Sequence, residues 1–244
     1  MHPPTGCTRG AGRGDRPHAR RRKNPRLGRP PRARAPRWRP SSQGESALVR
    51  RWQVDGELTA AQIAEIVAVL RSGGVVLMPT DTIYGLHARA DDANAVERLA
   101  AIKGRDETKP FIVIAASAEQ LESFGATIPP ILREIWPAPL TAILRRGSSP
   151  VGARVPDLPW LRSILSESGP LFSTSANRSG ENPISAPAEL AESLRKLLDG
   201  IVDAGKRDGK ASTIVDFTGP EPKIVREGDR MFTQKLRKRL RKSL

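Results

Sequence analysis

The chain has 244 residues, 41 lysines and arginines against 26 acids, a formal net charge of +15, one cysteine and three histidines. A disulfide framework is excluded, and because Cys7, His2 and His18 all precede residue 49, His87 alone remains beyond it, too little for a Cys/His zinc site or a Cys–His nucleophile. No run reaches the ~18 consecutive apolar residues of a membrane span, so a soluble, cytoplasmic protein is expected.

The charge is unevenly spread. Residues 1–48 hold 13 Arg and Lys against two acids, Asp15 and Glu45, together with eight of the 22 prolines. With almost no aliphatic residue before Leu48, this stretch buries too little apolar surface to offset its ordering entropy, and it is expected to be a disordered, basic, Pro/Arg-rich tail. Its Arg-rich, acid-poor composition resembles a transit peptide, but the prolines break the amphipathic helix such a peptide needs. A nucleic-acid-contacting arm and a start site placed upstream of a true one near Val49 are the other readings. Residues 230–244 hold seven basic residues and no acid, which leaves 49–229 with 21 basic and 24 acidic residues, a net of −3. That middle is long enough for one domain with a substantial core.

Helix and strand signals then alternate along the chain. "TAAQIAEIVAVLRSGG" puts Ile63, Ile66, Val67 and Leu70 on one face, with Thr59 as N-cap and Gly73 or Gly74 as the stop, and predicts a helix. "GVVLM" reads as a buried strand running into "PTDTIYG", where two threonines bracket an acid ahead of the single tyrosine. "DANAVERLAAIKGR" sets Val96, Leu99 and Ile102 on a second helical stripe ending at Gly104, and "PFIVIAA" is another strand. "SAEQLESF" opens with the Ser117–Gln120 spacing of a capping box, and "PPILREIW" is a short helix. "PLTAILRR" and "GARVP" are expected to be paired strands, "LPWLRSILSES" a helix, "GPLFSTSAN" a strand and turn, and "APAELAESLRKLLD" a helix. "GIVDA", "STIVDF" and "KIVRE" are short strands. In "MFTQKLRKRLRKSL", Met231, Leu236 and Leu240 form a narrow apolar stripe on a basic helix. Such a segment is a frayed, solvated tail, docks on its own domain, meets an anionic membrane or contacts tRNA, RNA being favoured over the membrane, and its removal is expected to leave the chemistry intact.

Helices interleaved with about seven strands define an α/β domain with helices packed on a mixed sheet. No internal repeat is present, and neither G-x-x-x-x-G-K-S/T nor G-x-G-x-x-G stands at a strand-to-helix turn, so a nucleotide would be held by another route. Polar groups at the predicted strand ends supply one. Lys103, Arg105, Arg154 and Arg226 recur beside small hydroxyls and one amide, a set suited to holding phosphates and a carboxylate rather than to nucleophilic attack. His87 reads as a general base or, more readily, as a half-exposed structural residue; Thr80 belongs to the site or simply terminates the strand, Tyr84 belongs to the site or is a packing residue whose hydroxyl finds a partner, and Gly85 permits a tight turn. The residues do not say which partner Asp81 serves.

Taken in order, "PTDTIYG", "KGRDETKP", "WPAPLT", "RVP", "SANRSG", "STIVD" and "VREG" span most of residues 60–228, and in this register the chain resembles the YrdC-like threonylcarbamoyl-AMP synthases. The resemblance implies a twisted, mostly open α/β sheet with a concave positive cleft. It implies an L-threonylcarbamoyladenylate synthase, a nucleotidyltransferase that makes threonylcarbamoyl-AMP and pyrophosphate from L-threonine, bicarbonate or CO2, and ATP. Mg²⁺ would be held mainly by the ATP phosphates, and a tRNA threonylcarbamoyl transferase complex would be the partner. A non-catalytic YrdC-like protein that binds double-stranded RNA or tRNA is the alternative.

By position, the family's roles fall on Thr82, Arg154 and Ser212 for threonine and on Lys103, Arg105, Lys109, Asn177, Ser185 and Arg226 for ATP, with Ser175 close to both ligands. Lys103, Arg105, Ser175 and Asn177 correspond to the family's polar tetrad and are the expected catalytic set. Ile114 departs from the pattern, because many members end that strand in a histidine that reaches threonine. With about 15 residues after Gly228, the chain resembles the short, single-domain form, and its domains are expected to be 1–48, 49–229 and 230–244.

Overall fold

The structure, a computed structural model, describes residues 49–104, 111–177 and 182–242. The tail expected over 1–48, and Arg105 and Lys109, lie outside the described residues. Among the described residues ten strands form one mixed sheet in the order β1-β8-β2-β3-β7-β4-β6-β5-β9-β10. The strands are β1 (Arg50–Gln53), β2 (Val76–Pro79), β3 (Tyr84–Arg89), β4 (Ile112–Ile114), β5 (Leu140–Arg146), β6 (Ser149–Arg154), β7 (Leu171–Ser175), β8 (Gly200–Asp203), β9 (Thr213–Asp216) and β10 (Lys223–Arg226). The helices are α1 (Ala60–Arg71), α2 (Ala93–Lys103), α3 (Ala118–Ser123), α4 (Pro130–Ile135), α5 (Pro159–Ser168), α6 (Glu192–Arg195) and α7 (Arg230–Lys242).

Local chemistry sets several boundaries as the sequence predicts. Thr59 and Gln62 form a capping box at the start of α1, Ser117 caps α3 through the Gln120 amide, and α2 stops at Gly104. β5 and β6 pair antiparallel, with Ala142 opposite Ala153. Two strands were not legible from the sequence. β1 is a short parallel edge strand beside β8 that buries Trp52 alone of its four side chains, too little for a period-2 signal. β3 follows the "PTDTIYG" turn and pairs antiparallel with both β2 and β7.

The helix expected over 186–199 is corrected. Residues 187–189 form a 3₁₀ turn, Leu190 and Ala191 are extended, and α6 is only four residues long. Leu190, Leu194 and Leu198 are all buried against the β2–β3–β8 region, and Arg195 donates to the carbonyls of Pro187 and Leu190 across the break. Burial of three leucines on a sheet, with the break satisfied by a guanidinium, outweighs helix propensity here.

Alternation along the strands assigns the two faces of the sheet. On one, Val76, Met78, Ile114 and Leu171 pack under α1 and α5. On the other, Leu77 and Leu86 pack under α2 and α6, while Val113, Ala142, Leu144, Val151, Ala153 and Val215 pack under α3, α4 and α7. The residues between these last, Gly152, Arg154, Thr141 and Ile214, therefore point to the α1/α5 face. There Thr141, Arg154 and Ile214 line a cavity in place of a helix.

Asp229 immediately precedes α7, and its carboxylate accepts from the Phe232 amide at 2.8 Å. Its buried residues are Thr233, Leu236 and Leu240, whereas Met231, expected on the apolar stripe, is 65% exposed. Thr233, two residues on, takes the place expected of Met231 in the buried stripe, its hydroxyl meeting that of Thr213 at 2.8 Å.

Candidate active site

The cavity, of about 360 Å³, lies where β2, β5, β6, β7, β9 and β10 bring their ends together. Its polar lining comes from Thr80, Thr82, Thr141, Arg154, Ser212 and Arg226 among others, and its apolar wall includes Ile112 and Ile114. Ile114, the expected departure, is fully buried there and offers only a methyl surface.

Leaving β2, the chain turns through Thr80–Asp81–Thr82. The Thr80 hydroxyl accepts from the Thr82 amide at 3.2 Å and donates to the Ile83 carbonyl at 3.1 Å, so Thr80 terminates the strand and also organises the turn. The segment before β9 closes over this turn so tightly that a Cβ on Gly209 would sit 2.1 Å from the Thr82 carbonyl oxygen. Turned inward, the Thr82 hydroxyl accepts from Arg154 Nη1 at 2.9 Å, while Arg154 Nη2 donates to Asp81 Oδ1. The two side chains of this ion pair are only 3% and 9% exposed. Asp81 thus has its partner: it fixes the fork of the guanidinium that lines the cavity. Arg154 Nε and Asp81 Oδ2 are buried and have no hydrogen-bond partner, so the pair retains unused capacity beside the cavity.

Across the cavity, β7 ends in Ser175. Lys103, the last residue of α2 and 7% exposed, sends its ammonium to the Ser175 carbonyl at 2.7 Å, the Asn177 carbonyl at 2.6 Å and Asn177 Oδ1 at 2.6 Å. The Ser175 hydroxyl lies 3.3 Å from the same ammonium and donates to Asn177 Oδ1 at 2.5 Å. Three of the four expected catalytic residues are therefore in one cluster, and Ser175 connects that cluster to the cavity wall.

On the third side, Ser212 and Thr141 share a hydrogen bond of 2.8 Å, and Arg226 donates to the Ser212 carbonyl from Nη2 at 2.8 Å and from Nε at 3.2 Å. Arg226 is exposed at the mouth, and its pKa is lowered from the ordinary guanidinium value by desolvation and by the Arg154 charge. An anion between the two guanidiniums would relieve that repulsion. Arg226 also borders a second cavity of about 470 Å³ that shares Ile83, Pro183 and Ala211 with the first. Ser185 lies there, with its hydroxyl donating to Glu189 at 2.6 Å, so it faces the outer cavity and not the inner one. Arg207 and Lys210 line the outer cavity and Thr141 the inner one, and the sequence reading singled out none of them. The clues available were a Gly- and charge-rich loop, "DAGKRDGK", after a strand, and the last residue of "WPAPLT".

Two expectations fail. His87 is fully buried, with Nε2 3.1 Å from the Met78 carbonyl, and burial lowers its pKa to about 4, so it is a neutral core residue. Gly85 lies within β3, where a Cβ would come within 2.9 Å of His87 Nε2 and 3.0 Å of the Thr174 carbonyl; close strand packing, not a turn, requires glycine. Tyr84 packs in the core, its hydroxyl donating to the Gly205 carbonyl at 2.8 Å and accepting from the Ala204 amide at 3.0 Å.

A helix-flanked mixed sheet with guanidiniums, one buried lysine and small hydroxyls converging at its strand ends defines the class: an α/β protein whose cavity is lined by cations and hydroxyls. Residues 68–228 match the Sua5/YciO/YrdC family, described as "Telomere recombination", and the chain belongs to this family. Among relatives, the threonylcarbamoyl-AMP synthase of Bacillus subtilis is 34% identical over 200 residues, 73% of this chain but 58% of the relative. That of Chromohalobacter salexigens is 36% identical over 181 residues, 67% of this chain and 96% of the relative. Among solved structures, Pyrococcus abyssi Sua5 complexed with L-threonine superposes with a TM-score of 0.67 at 30% identity, covering 73% of this chain and 57% of that one. Escherichia coli YciO gives 0.67 at 27% identity, covering 74% and 96%.

Proposed function

We propose that this protein is an L-threonylcarbamoyladenylate synthase, joining L-threonine, bicarbonate or CO2, and ATP into threonylcarbamoyl-AMP with release of pyrophosphate. The observation that carries the reading is the Arg154 guanidinium, held by Asp81 and Thr82 in a cavity bordered by the Lys103–Ser175–Asn177 cluster. The names of the relatives and the solved threonine complex support catalysis over a purely RNA-binding role.

In this reading Arg154, Thr82 and Ser212 receive threonine, the guanidinium taking its carboxylate. Lys103, Asn177 and Arg226, with Arg105 and Lys109, face the ATP phosphates, and Ser185 borders the outer part of the nucleotide site. The threonine amine captures CO2 as a carbamate, a carbamate oxygen attacks the α-phosphorus, and the bond from that phosphorus to the bridging oxygen of pyrophosphate breaks. Both reacting groups come from substrates. The protein's task is to hold two anions in contact and neutralise their charge, which Lys and Arg in a partly desolvated cavity do by positioning and electrostatic stabilisation.

Among the described residues no cluster of three or more His, Cys, Asp or Glu is placed to hold a metal ion, and Asp81 is committed to Arg154. In this reading Mg²⁺ comes with the ATP phosphates, as part of the substrate. The product would pass to a tRNA threonylcarbamoyl transferase complex, which places the protein in the cytoplasm; no helix among the described residues is long and apolar enough to cross a membrane. The test is ATP-dependent pyrophosphate release by the full chain. Release that requires both threonine and bicarbonate is the expected result, and release indifferent to threonine, or none, overturns the proposal.

A further inference from the structure

The basic helix at the end of the described chain is not used by the proposed chemistry. α7 carries seven cations and no acid in its 13 residues. All seven are exposed, and among the described residues the ion pair made from the helix is that of Arg237 with Glu227 at 2.5 Å. Holding this much like charge on a helix is unfavourable unless a polyanion neutralises it.

The apolar side of α7 is already occupied. Leu236 and Leu240, 2% and 6% exposed, belong to the core under β5, β6 and β9, and Thr233 is tied to Thr213. The helix is thus a fixed ridge whose outward side is charged, apart from Met231 and Gln234 in its first turns. An amphipathic helix that lies in a bilayer must bury its apolar face in the lipid, and here that face is spent on the protein itself.

Grooves run along both flanks of the ridge. One, of about 730 Å³, lies between α4 and the turn after β9, with Pro130, Phe217, Pro220 and Glu134 on its walls and Arg239 and Lys242 on its rim. The other, of about 530 Å³, is bordered by Glu221, Pro222 and Lys223 with Arg237 and Arg241, so in each groove the cations outnumber a single acid. From Lys235 to Lys242 the cations extend for about 10 Å at 1.5 Å per residue, so several of them can reach phosphates of one nucleic-acid strand at once.

We infer that the outer side of α7 is a docking surface for the phosphate backbone of structured RNA. The ridge supplies cations to phosphates and the troughs accept the relief of the helix; no base is read. The choice of RNA as the polyanion rests on the proposed function, since the product of that reaction is destined for an RNA adenosine. The surface itself rests on the charge and packing of α7.

The test compares the full chain with its Lys238→Gln, Arg239→Gln, Arg241→Gln, Lys242→Gln quadruple variant, in binding to a labelled RNA hairpin across a series of KCl concentrations. Residues 1–48 are present in both proteins and contribute equally. Each phosphate contact contributes about 0.7–0.9 to the slope of log K against log salt, so the variant should bind at least about tenfold more weakly with a slope shallower by about 2–3. Pyrophosphate release should be unchanged, because none of the four residues lines the inner cavity. Equal affinity and slope in the two proteins, or no RNA binding by the wild type at low salt, overturns the inference. So does a variant that loses binding to phosphatidylserine vesicles while keeping its RNA affinity. Failure of the synthase reading would appear in the pyrophosphate assay alone and leave the RNA measurement readable.

Discussion

Replacing Arg154 by lysine separates charge from geometry in the candidate site. The guanidinium uses Nη1 for Thr82 and Nη2 for Asp81 in a pair that is 3% and 9% exposed. Lysine keeps the positive charge opposite Asp81, so the carboxylate is not left buried alone and the fold is expected to survive. It has no planar fork, however, and cannot meet Asp81, Thr82 and a substrate carboxylate in one rigid arrangement. Losing one charge-assisted hydrogen bond costs about 1.5–3 kcal/mol, which at 1.4 kcal/mol per decade is roughly a 10- to 150-fold fall in kcat/KM for threonine. The KM for ATP should change little, because Arg154 is placed with the Asp81–Thr82 turn and not with Lys103. The assay is pyrophosphate release with threonine and ATP varied in turn, on protein whose thermal unfolding is checked. An unchanged threonine kcat/KM, or an ATP KM that moves as much as the threonine KM, refutes the assignment. Arg154→Met sharpens the contrast: it strands Asp81 and should cost about 3–5 kcal/mol of stability, read as a lowered urea midpoint.

Other outcomes follow from the packing. Leu236→Ala should lose about 2–5 kcal/mol of stability, since the side chain is 2% exposed in the core; a change under 1 kcal/mol on that scale would mean α7 is not docked. Thr233→Val should cost about 1–3 kcal/mol by leaving Thr213 without its hydroxyl partner, and Thr233→Ser should restore most of it; equal unfolding midpoints for the two variants would argue against the bond. His87 has a folded pKa of about 4 against an ordinary 6.5, so the unfolded chain binds the extra proton between those values, and stability falls as pH drops through that window. The full shift corresponds to about 3 kcal/mol, and urea midpoints for His87→Gln should show a shallower decline from pH 7 to 4 than the wild type.

Much of the site was legible because its residues are punctuation between elements. Lys103 closes a predicted helix, Arg154 and Ser175 end predicted strands, and a strand end fixes the direction of a side chain without knowledge of its neighbours. What each side chain meets was not legible. Asp81 and Arg154 are 73 residues apart and Lys103 and Asn177 74 apart, and only the sheet order brings them together. The same limit explains the misreadings. His87 and Gly85 carry no local sign that β7 and β2 flank them.

By itself the sequence determined the α/β class, the capped helix starts and the two paired strands β5 and β6, because propensity, capping and side-chain alternation act over a few residues. The tertiary structure alone decided the partner of Asp81, the break at Leu190 and the fate of the basic end. Periodicity showed that α7 had an apolar stripe, but not what would cover it. Removal of 231–244, expected from the sequence to leave the chemistry intact, also takes Leu236 and Leu240 out of the core and Thr233 away from Thr213, beside the Ser212 that lines the cavity. Burial is a property of the surface an element meets, and that surface here is built from strands such as β5 and β9, whose partners Leu140 and Thr213 lie 73 residues apart along the chain before the sheet joins them.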